Sequence, residues 1–369
     1  MKYIKSYIWP LLALDFILFH SLLFNGYIAM HDFSTIPYFV NCLNLIPQSL
    51  TGTYLSLPPF GVQFDPGMNL LTAFFMLLFN HYAINFLAFL LLFFYTAGLY
   101  YFFFQFSSGF RAFIGAVFAV LFVGVLNNII DTPLGLYVWF LPFTLGLYYK
   151  YRLSGRKEYL LLSAVPAALS TPYGPAMPSL IFGLLAVELS IVAEKRDIRA
   201  LLKGLASIAA MIVMYVITHL VIFLYSAPVL SGLNKTFYAA LRPGFNLYQI
   251  LTSGAVYAWE QYPSAYMPSG IYSLYTWLLI ILACVLVFEL AVNRKYLPLI
   301  FFVLFAAVIS YSSNYLGIYS LINALHLGII NHIDPFEYDP VIGMWFGMAL
   351  ASVQWKKSYT GAVKSATVL

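Results

Sequence analysis

Long apolar runs, separated by short polar turns, recur along the whole chain, and this pattern predicts a series of helices. Most of the runs approach the length of about 20 residues, with a range of about 17–25, that a membrane-spanning helix needs. We therefore predict an all-α fold, a polytopic helical transmembrane bundle of about ten spans. The predicted spans are 7–29, 84–105, 111–128, 133–150, 159–171, 177–193, 204–226, 269–292, 297–313 and 339–355.

A further apolar stretch, residues 68–80, is short and follows Asp65-Pro66-Gly67. Lys and Arg near the ends of membrane helices concentrate on the cytoplasmic side. If 68–80 crossed the membrane, the basic loop 150–157 would lie opposite the N-terminal lysines. If it lies in the interface instead, all the basic loops fall on the N-terminal side. We therefore predict that 68–80 is a juxtamembrane helix on the outer face.

This topology places both termini in the cytoplasm and leaves only Lys235 and Arg242, of eighteen Lys and Arg, outside. It predicts a multi-pass plasma-membrane protein with a transmembrane module over 1–226, which includes a first outer loop at 30–66. Residues 227–369 form a long outer loop and the C-terminal spans. Asn234 begins an Asn-Lys-Thr glycosylation sequon in that loop, on the side where it can be modified.

The composition supports a membrane protein, since 62% of the residues are apolar and only 8% are charged. A soluble domain would carry about 25% charged residues. The net charge of +5 is accounted for by one membrane face, so it does not indicate nucleic-acid binding. The first run is too long for a cleaved signal and is read as a retained span. We interpret Cys42 and Cys284 as buried thiols that form no disulfide.

The acids collect on the predicted outer face, and two of them stand out. Asp32, beside His31, follows the first span, and Asp131 lies in the short outer loop after the third span. If these carboxylates converge, they could hold a divalent cation, Mg²⁺ or Mn²⁺, or one could act as a general base on an incoming hydroxyl. The alternative is that each acid caps a helix or stays hydrated in its loop.

Other outer-face residues are candidates for substrate contact. The planar guanidinium of Arg242 matches phosphate oxygens, and we group Lys235 and Asp65 with it. Arg242 could equally reach lipid headgroups. The segment NHIDPFEYD (331–339) is rich in ligand-type side chains but follows no metal-binding spacing.

Ionisable residues inside predicted spans are also functional candidates. His20 and His219 lie in two different spans and could be the axial ligands of a b-type haem. Asp15 is placed deep in the first span, which favours a buried hydrogen-bonding or relay role. Glu188 and Glu289 lie towards cytoplasmic helix ends, where we expect them to reach water.

The N-terminal half resembles the GT-C superfamily of polytopic membrane glycosyltransferases, which includes oligosaccharyltransferase catalytic subunits and protein mannosyltransferases. The resemblance rests on MHDF (30–33) after the first span, on the outer loop with its juxtamembrane helix, on segment 61–103 and on a second-loop acid. It covers mainly residues 30–110. The family's Asp-x-Asp pair and WWDYG-type motif are not present in the sequence.

The resemblance implies sugar transfer from a polyprenyl-phosphate-linked donor at the extracytoplasmic face of an archaeal plasma membrane. By position, Asp32 and Asp131 match the two catalytic acids, His31 would assist Asp32, and Arg242 would contact the lipid phosphate. Two other functions stay open. One is a non-enzymatic, haem-binding subunit that works with partner membrane subunits in electron transfer. The other is a transporter of a lipid-linked substrate, although transporters usually carry acids at mid-membrane.

Overall fold

The computed structural model describes ten helices that pack together. The described residues are 2–25, 55–57, 60–62, 78, 83–122, 125, 138–170, 176–196, 198–218, 269–312 and 339–353. The helices are α1 (Lys2–Asn25), α2 (Ala83–Phe104), α3 (Gly109–Val120), α4 (Leu141–Ser154), α5 (Lys157–Leu169), α6 (Ala176–Lys195), α7 (Ile198–Thr218), α8 (Ser269–Val292), α9 (Tyr296–Ser312) and α10 (Asp339–Ser352).

Each of the ten predicted apolar runs overlaps one of these helices, so the predicted all-α class is confirmed. In the fourth run, the helix α4 begins at Leu141, whereas the run was predicted from 133. Pro142 occupies the first turn of α4, the one place in a helix where a missing N–H costs nothing.

A short antiparallel hairpin, which the sequence did not indicate, joins β1 (Leu55–Leu57) to β2 (Phe60–Val62). Leu57 pairs with Phe60 and Leu55 with Val62. This hairpin lies within the predicted first outer loop. Apart from position 78, the predicted juxtamembrane helix lies outside the described residues.

Two described helical segments, Ala176–Lys195 and Leu201–Thr218, are long and apolar enough to cross a membrane. Six further apolar helical stretches, each of 10–17 residues, fall below that length among the residues searched. Length and composition therefore give weak support for membrane association.

Helix α2 lies at the centre of the N-terminal half, where it packs against α1, α3 and α4. Leu91, Tyr95 and Leu99 of α2 are buried, and the Tyr95 ring meets Trp139 edge to face at 5.4 Å between centroids. The Tyr95 hydroxyl donates to the carbonyl of Pro340, at the start of α10. Aromatic packing and this hydrogen bond thus join α2 to α4 and α10.

Helices α3 and α10 cross at very close range through two glycines. A Cβ atom built on Gly115 would collide with the carbonyl oxygen of Gly347, and one on Gly347 would collide with that of Gly115. Small residues allow such close backbone approach between helices in membranes. Near the start of α3, Arg111 donates to the Val353 carbonyl at 3.1 Å, so the two helices run antiparallel.

Contacts between helix ends show that several basic turns lie at one end of the bundle. Tyr7, near the start of α1, packs on Tyr100 near the end of α2, and Phe106 packs on Tyr149 near the end of α4. Arg152 at the end of α4 meets Glu188 of α6. We call this the basic end, formed by the α2–α3, α4–α5 and α6–α7 turns. The end of α1, the end of α3 and the start of α4 consequently point to the opposite end.

Candidate functional site

Most of the predicted site residues lie outside the described residues. These are Asp32, Asp131 and His31 of the catalytic group, Arg242, Lys235 and Asp65 of the substrate group, His219 of the haem pair, and the glycosylation site Asn234. The proposed site at the outer face, formed by these residues, therefore stays a prediction.

His20 is the one member of these groups that the structure describes. Its side chain is exposed on α1, and its Nδ1 atom lies 2.6 Å from the carbonyl oxygen of Ile17. A histidine that donates from Nδ1 to a backbone carbonyl presents Nε2 outward, as metal-ligating histidines do. Among the residues that were searched, no three His, Cys, Asp or Glu side chains form a group that could hold a metal ion.

The described part of the chain contains a buried ionic site where α4, α6 and α7 meet. Tyr148 and Arg152 are four residues apart on α4, so both side chains reach the same neighbouring helix. The Tyr148 hydroxyl donates to Glu188 Oε1 at 2.6 Å, and Arg152 Nε lies 2.6 Å from the same oxygen. The Glu188 side chain has no exposed surface, and that of Arg152 is 11% exposed.

Gly204 on α7 completes this site. A Cβ atom at position 204 would overlap the carboxylate of Glu188, so only glycine lets α7 approach α6 there. Two contacts join α4 to α7 here. The Tyr148 hydroxyl oxygen is 3.4 Å from the Gly204 carbonyl oxygen, and the hydroxyl oxygens of Tyr151 and Ser207 are 3.2 Å apart. Within the described residues, Glu188 Oε2 is buried and has no hydrogen-bond partner.

The prediction that Glu188 reaches water is wrong, because α7 and the Tyr148 ring cover it. Its partners Tyr148 and Arg152 were not predicted. Two features of the sequence pointed to this site: the four-residue spacing of Tyr148 and Arg152, and the presence of Glu188 within an apolar helix. Pairing them required knowledge that α4 lies beside α6.

A second buried carboxylate joins α1 to α2, as the depth of Asp15 in its span suggested. Thr96 Oγ1 lies 3.0 Å from Asp15 Oδ1 and also 2.8 Å from the Leu92 carbonyl oxygen. Both side chains are fully buried. Asp15 Oδ2 has no hydrogen-bond partner among the described residues, so this carboxyl group can accept one more donor or carry a proton.

Two other predictions concern residues on α8. Glu289 is exposed, as expected, and accepts a hydrogen bond from Asn293 Nδ2 at 3.2 Å. Cys284 is a free cysteine but is exposed, so its predicted burial is wrong; it lies on the same outward face as Ile281 and Val285. Cys42 lies outside the described residues.

A cavity between α4, α5, α6 and α7 lies away from the basic end. Its volume is 10 Å³, which is room for about one water molecule and too little for a sugar. It is lined by Leu141, Thr144, Ala167, Ser170, Ala176, Leu180 and Tyr215.

Comparisons with known proteins identify no family for the chain. No protein-family model matches it, and no curated protein shows significant similarity to it.

Proposed function

We propose that the chain is a polytopic plasma-membrane glycosyltransferase that moves a sugar from a polyprenyl-phosphate-linked donor to an acceptor at the extracytoplasmic face. One observation carries this proposal. The end of α1, the end of α3 and the start of α4 lie at the end of the bundle opposite the basic end, and in the sequence Asp32 follows α1 and Asp131 stands between α3 and α4. That is the arrangement a site with both acids at one membrane surface requires.

The surface of the bundle supports a location in lipid. Large apolar side chains point outward on several helices, with Trp9 71%, Leu202 69% and Phe288 68% exposed. Soluble proteins rarely expose many such side chains in continuous areas. Inside the bundle, by contrast, the buried carboxyl groups of Glu188 and Asp15 each have a polar partner on a neighbouring helix. Ten membrane crossings with cytoplasmic termini fit this distribution.

The proposed reaction is substitution at the sugar carbon that carries the lipid phosphate. Asp32 takes the proton of the acceptor hydroxyl as a general base, with His31 holding its orientation. Arg242 and Lys235 bind the departing polyprenyl phosphate, whose negative charge they stabilise. Asp131 and Asp32 would together hold a divalent cation, which would help to bind the donor phosphate, and Asp65 would contact the donor sugar.

The test is sugar transfer in membranes from cells that make the Asp32→Asn variant. Loss of a general base lowers such rates by about 10²–10⁴-fold. Asp334→Asn, which removes another predicted outer-face acid, is the matched control and keeps near-normal transfer. Unchanged transfer and cell-surface glycans in the Asp32→Asn variant would rule out the proposed catalytic role.

A second candidate function is transport of a lipid-linked substrate, which the burial of Asp15 favours. Intramembrane acids of this kind often bind coupling protons in transporters. In proteoliposomes, the Asp15→Asn variant would then lose substrate flux while Asp32→Asn keeps it. The glycosyltransferase proposal instead expects Asp32→Asn to lose sugar transfer and Asp15→Asn to keep it, so this pair of variants separates the two functions.

A further inference from the structure

Helix α5 has an exposed apolar face that follows directly after a lysine at the start of the helix. Lys157 opens the helix, and Leu161, Val165 and Leu169 follow at four-residue intervals on the exposed side. The opposite side faces the bundle, where Ser163 Oγ lies 3.2 Å from the sulfur of Met211 on α7. The exposed side of α5 therefore combines one charged end with about three helical turns of apolar surface.

Helix α7 repeats this pattern beside α5. Arg199 and Lys203 are exposed in its first two turns, and Leu202, Val213 and Ile217 are exposed along the same helix. Side chains on a helix lean towards its N-terminus, and a lysine stem can lie along apolar surface while its ammonium group reaches outward. Lys203 can thus extend towards the basic end, and Val213 and Ile217, later in the helix, stay exposed.

The charge at this end is unbalanced. Between residues 150 and 203 the chain has eight Lys and Arg against four Asp and Glu. Two of the acids are already engaged, since Glu188 meets Arg152 and Glu158 lies 3.5 Å from Arg156. Within the described part of the chain, Lys157 and Lys203 form no ion pair.

We propose that the exposed faces of α5 and α7 bind an anionic phospholipid of the cytoplasmic leaflet. Lys157 and Lys203 hold the headgroup phosphate, and the acyl chains lie along Val165 and Ile217. The inference rests on the proposed membrane location, but not on the proposed glycosyl transfer. It assigns this surface to a lipid at the end of the bundle opposite Asp32 and Asp131.

The combination of charge and apolar surface selects this ligand. A free phosphate would use only the cations and leave the apolar faces without a partner. An acidic protein segment would match the charge, but it would not supply the acyl chains that cover Leu161 and Leu202 across several turns. A phospholipid with a net negative headgroup supplies both. Each Lys or Arg near an anionic membrane surface raises the affinity for that surface several-fold.

The experiment uses the full chain extracted from membranes in detergent. Binding of phosphatidylglycerol is measured by native mass spectrometry and compared with binding of phosphatidylcholine that has the same acyl chains. The test variant combines Lys157→Gln with Lys203→Gln. The matched control combines Lys195→Gln with Arg196→Gln, which removes the same charge from the α6–α7 turn, after a helix whose side chains are mostly buried.

We expect the chain to prefer phosphatidylglycerol and the test variant to bind it about 30-fold more weakly, from two lost cation contacts. The control variant should lose less than about threefold, and added salt should reduce the preference by screening. Equal binding of the two lipids, an equal loss in the control, or full competition by inorganic phosphate would overturn the proposal. A chain that is soluble without detergent would instead refute the membrane location itself, and lipid binding with it.

Discussion

Removal of the Glu188 carboxylate should destabilise the bundle strongly, because it takes away the buried negative charge that Arg152 meets at 2.6 Å. Breaking a buried ion pair by deleting one partner costs about 3–5 kcal/mol. Arg152 is 11% exposed and lies near the basic end, so it can shift towards water and relieve part of this cost. We therefore expect the Glu188→Ala variant to lose about 3 kcal/mol of unfolding free energy, at the lower end of that range.

Loss of the Tyr148 hydroxyl should cost less. The Tyr148→Phe variant removes one hydrogen bond to a charged acceptor, worth about 1.5–3 kcal/mol, and leaves the ion pair intact. The double variant Glu188→Leu with Arg152→Met replaces the pair by apolar side chains of similar size. Such replacements are often neutral, so the double variant should be more stable than either single variant.

Unfolding can be followed in detergent by denaturant titration with the intrinsic fluorescence of the six tryptophans, of which Trp139 is buried in the bundle. Glu289→Ala is the matched control, since it removes an exposed glutamate with a local partner and should change stability by less than about 0.5 kcal/mol. A loss of stability in Glu188→Ala no larger than that in Glu289→Ala would contradict a stabilising buried ion pair. Simple addition of the effects of Glu188→Leu and Arg152→Met in the double variant would contradict it as well.

Three further predictions concern other contacts. Gly347→Leu should destabilise by about 3 kcal/mol or more, because its side chain would collide with Gly115 and force α10 away from α3; a Leu variant as stable as the parent would contradict this. Thr96→Val should cost about 1–3 kcal/mol, measured by the same titration, since it leaves the buried Asp15 without its hydroxyl partner. Cys284 should react with a membrane-permeant maleimide in the folded protein in detergent, more slowly than in the unfolded protein because the proposed span turns its thiol to lipid, as mass spectrometry would show; complete protection until unfolding would contradict its exposure.

The positions of the helices could be predicted from the sequence because each is a long apolar run. Gly155 ends α4 in the left-handed conformation, with φ of 71°, and it stands where the basic loop 150–157 interrupts two apolar runs. The hairpin could not be predicted. Its strands have three residues each, and Pro58-Pro59 between Leu57 and Phe60 is not a sequence typical of two-residue hairpin turns.

The buried ionic site shows what sequence periodicity leaves out. The position of Asp15 within its apolar run was enough to predict burial, since apolar residues extend for several positions on both sides of it. Glu188 lies only seven residues before the end of α6, so the distance along the chain suggested that it reaches water. Its burial depends on Gly204 of the next helix, whose missing side chain lets α7 cover the carboxylate. That close approach is a tertiary property.

The most direct test of the account is to determine on which side of the membrane two introduced cysteines lie. In a chain with Cys42→Ser and Cys284→Ser, Ser34→Cys reports on the segment beside Asp32, and Ser154→Cys reports on an exposed position at the basic end. A membrane-impermeant maleimide should label position 34 in intact cells and position 154 only after the cells are permeabilised. Labelling of both positions, or of position 154 alone, in intact cells would contradict an outer-face site opposite a cytoplasmic basic end.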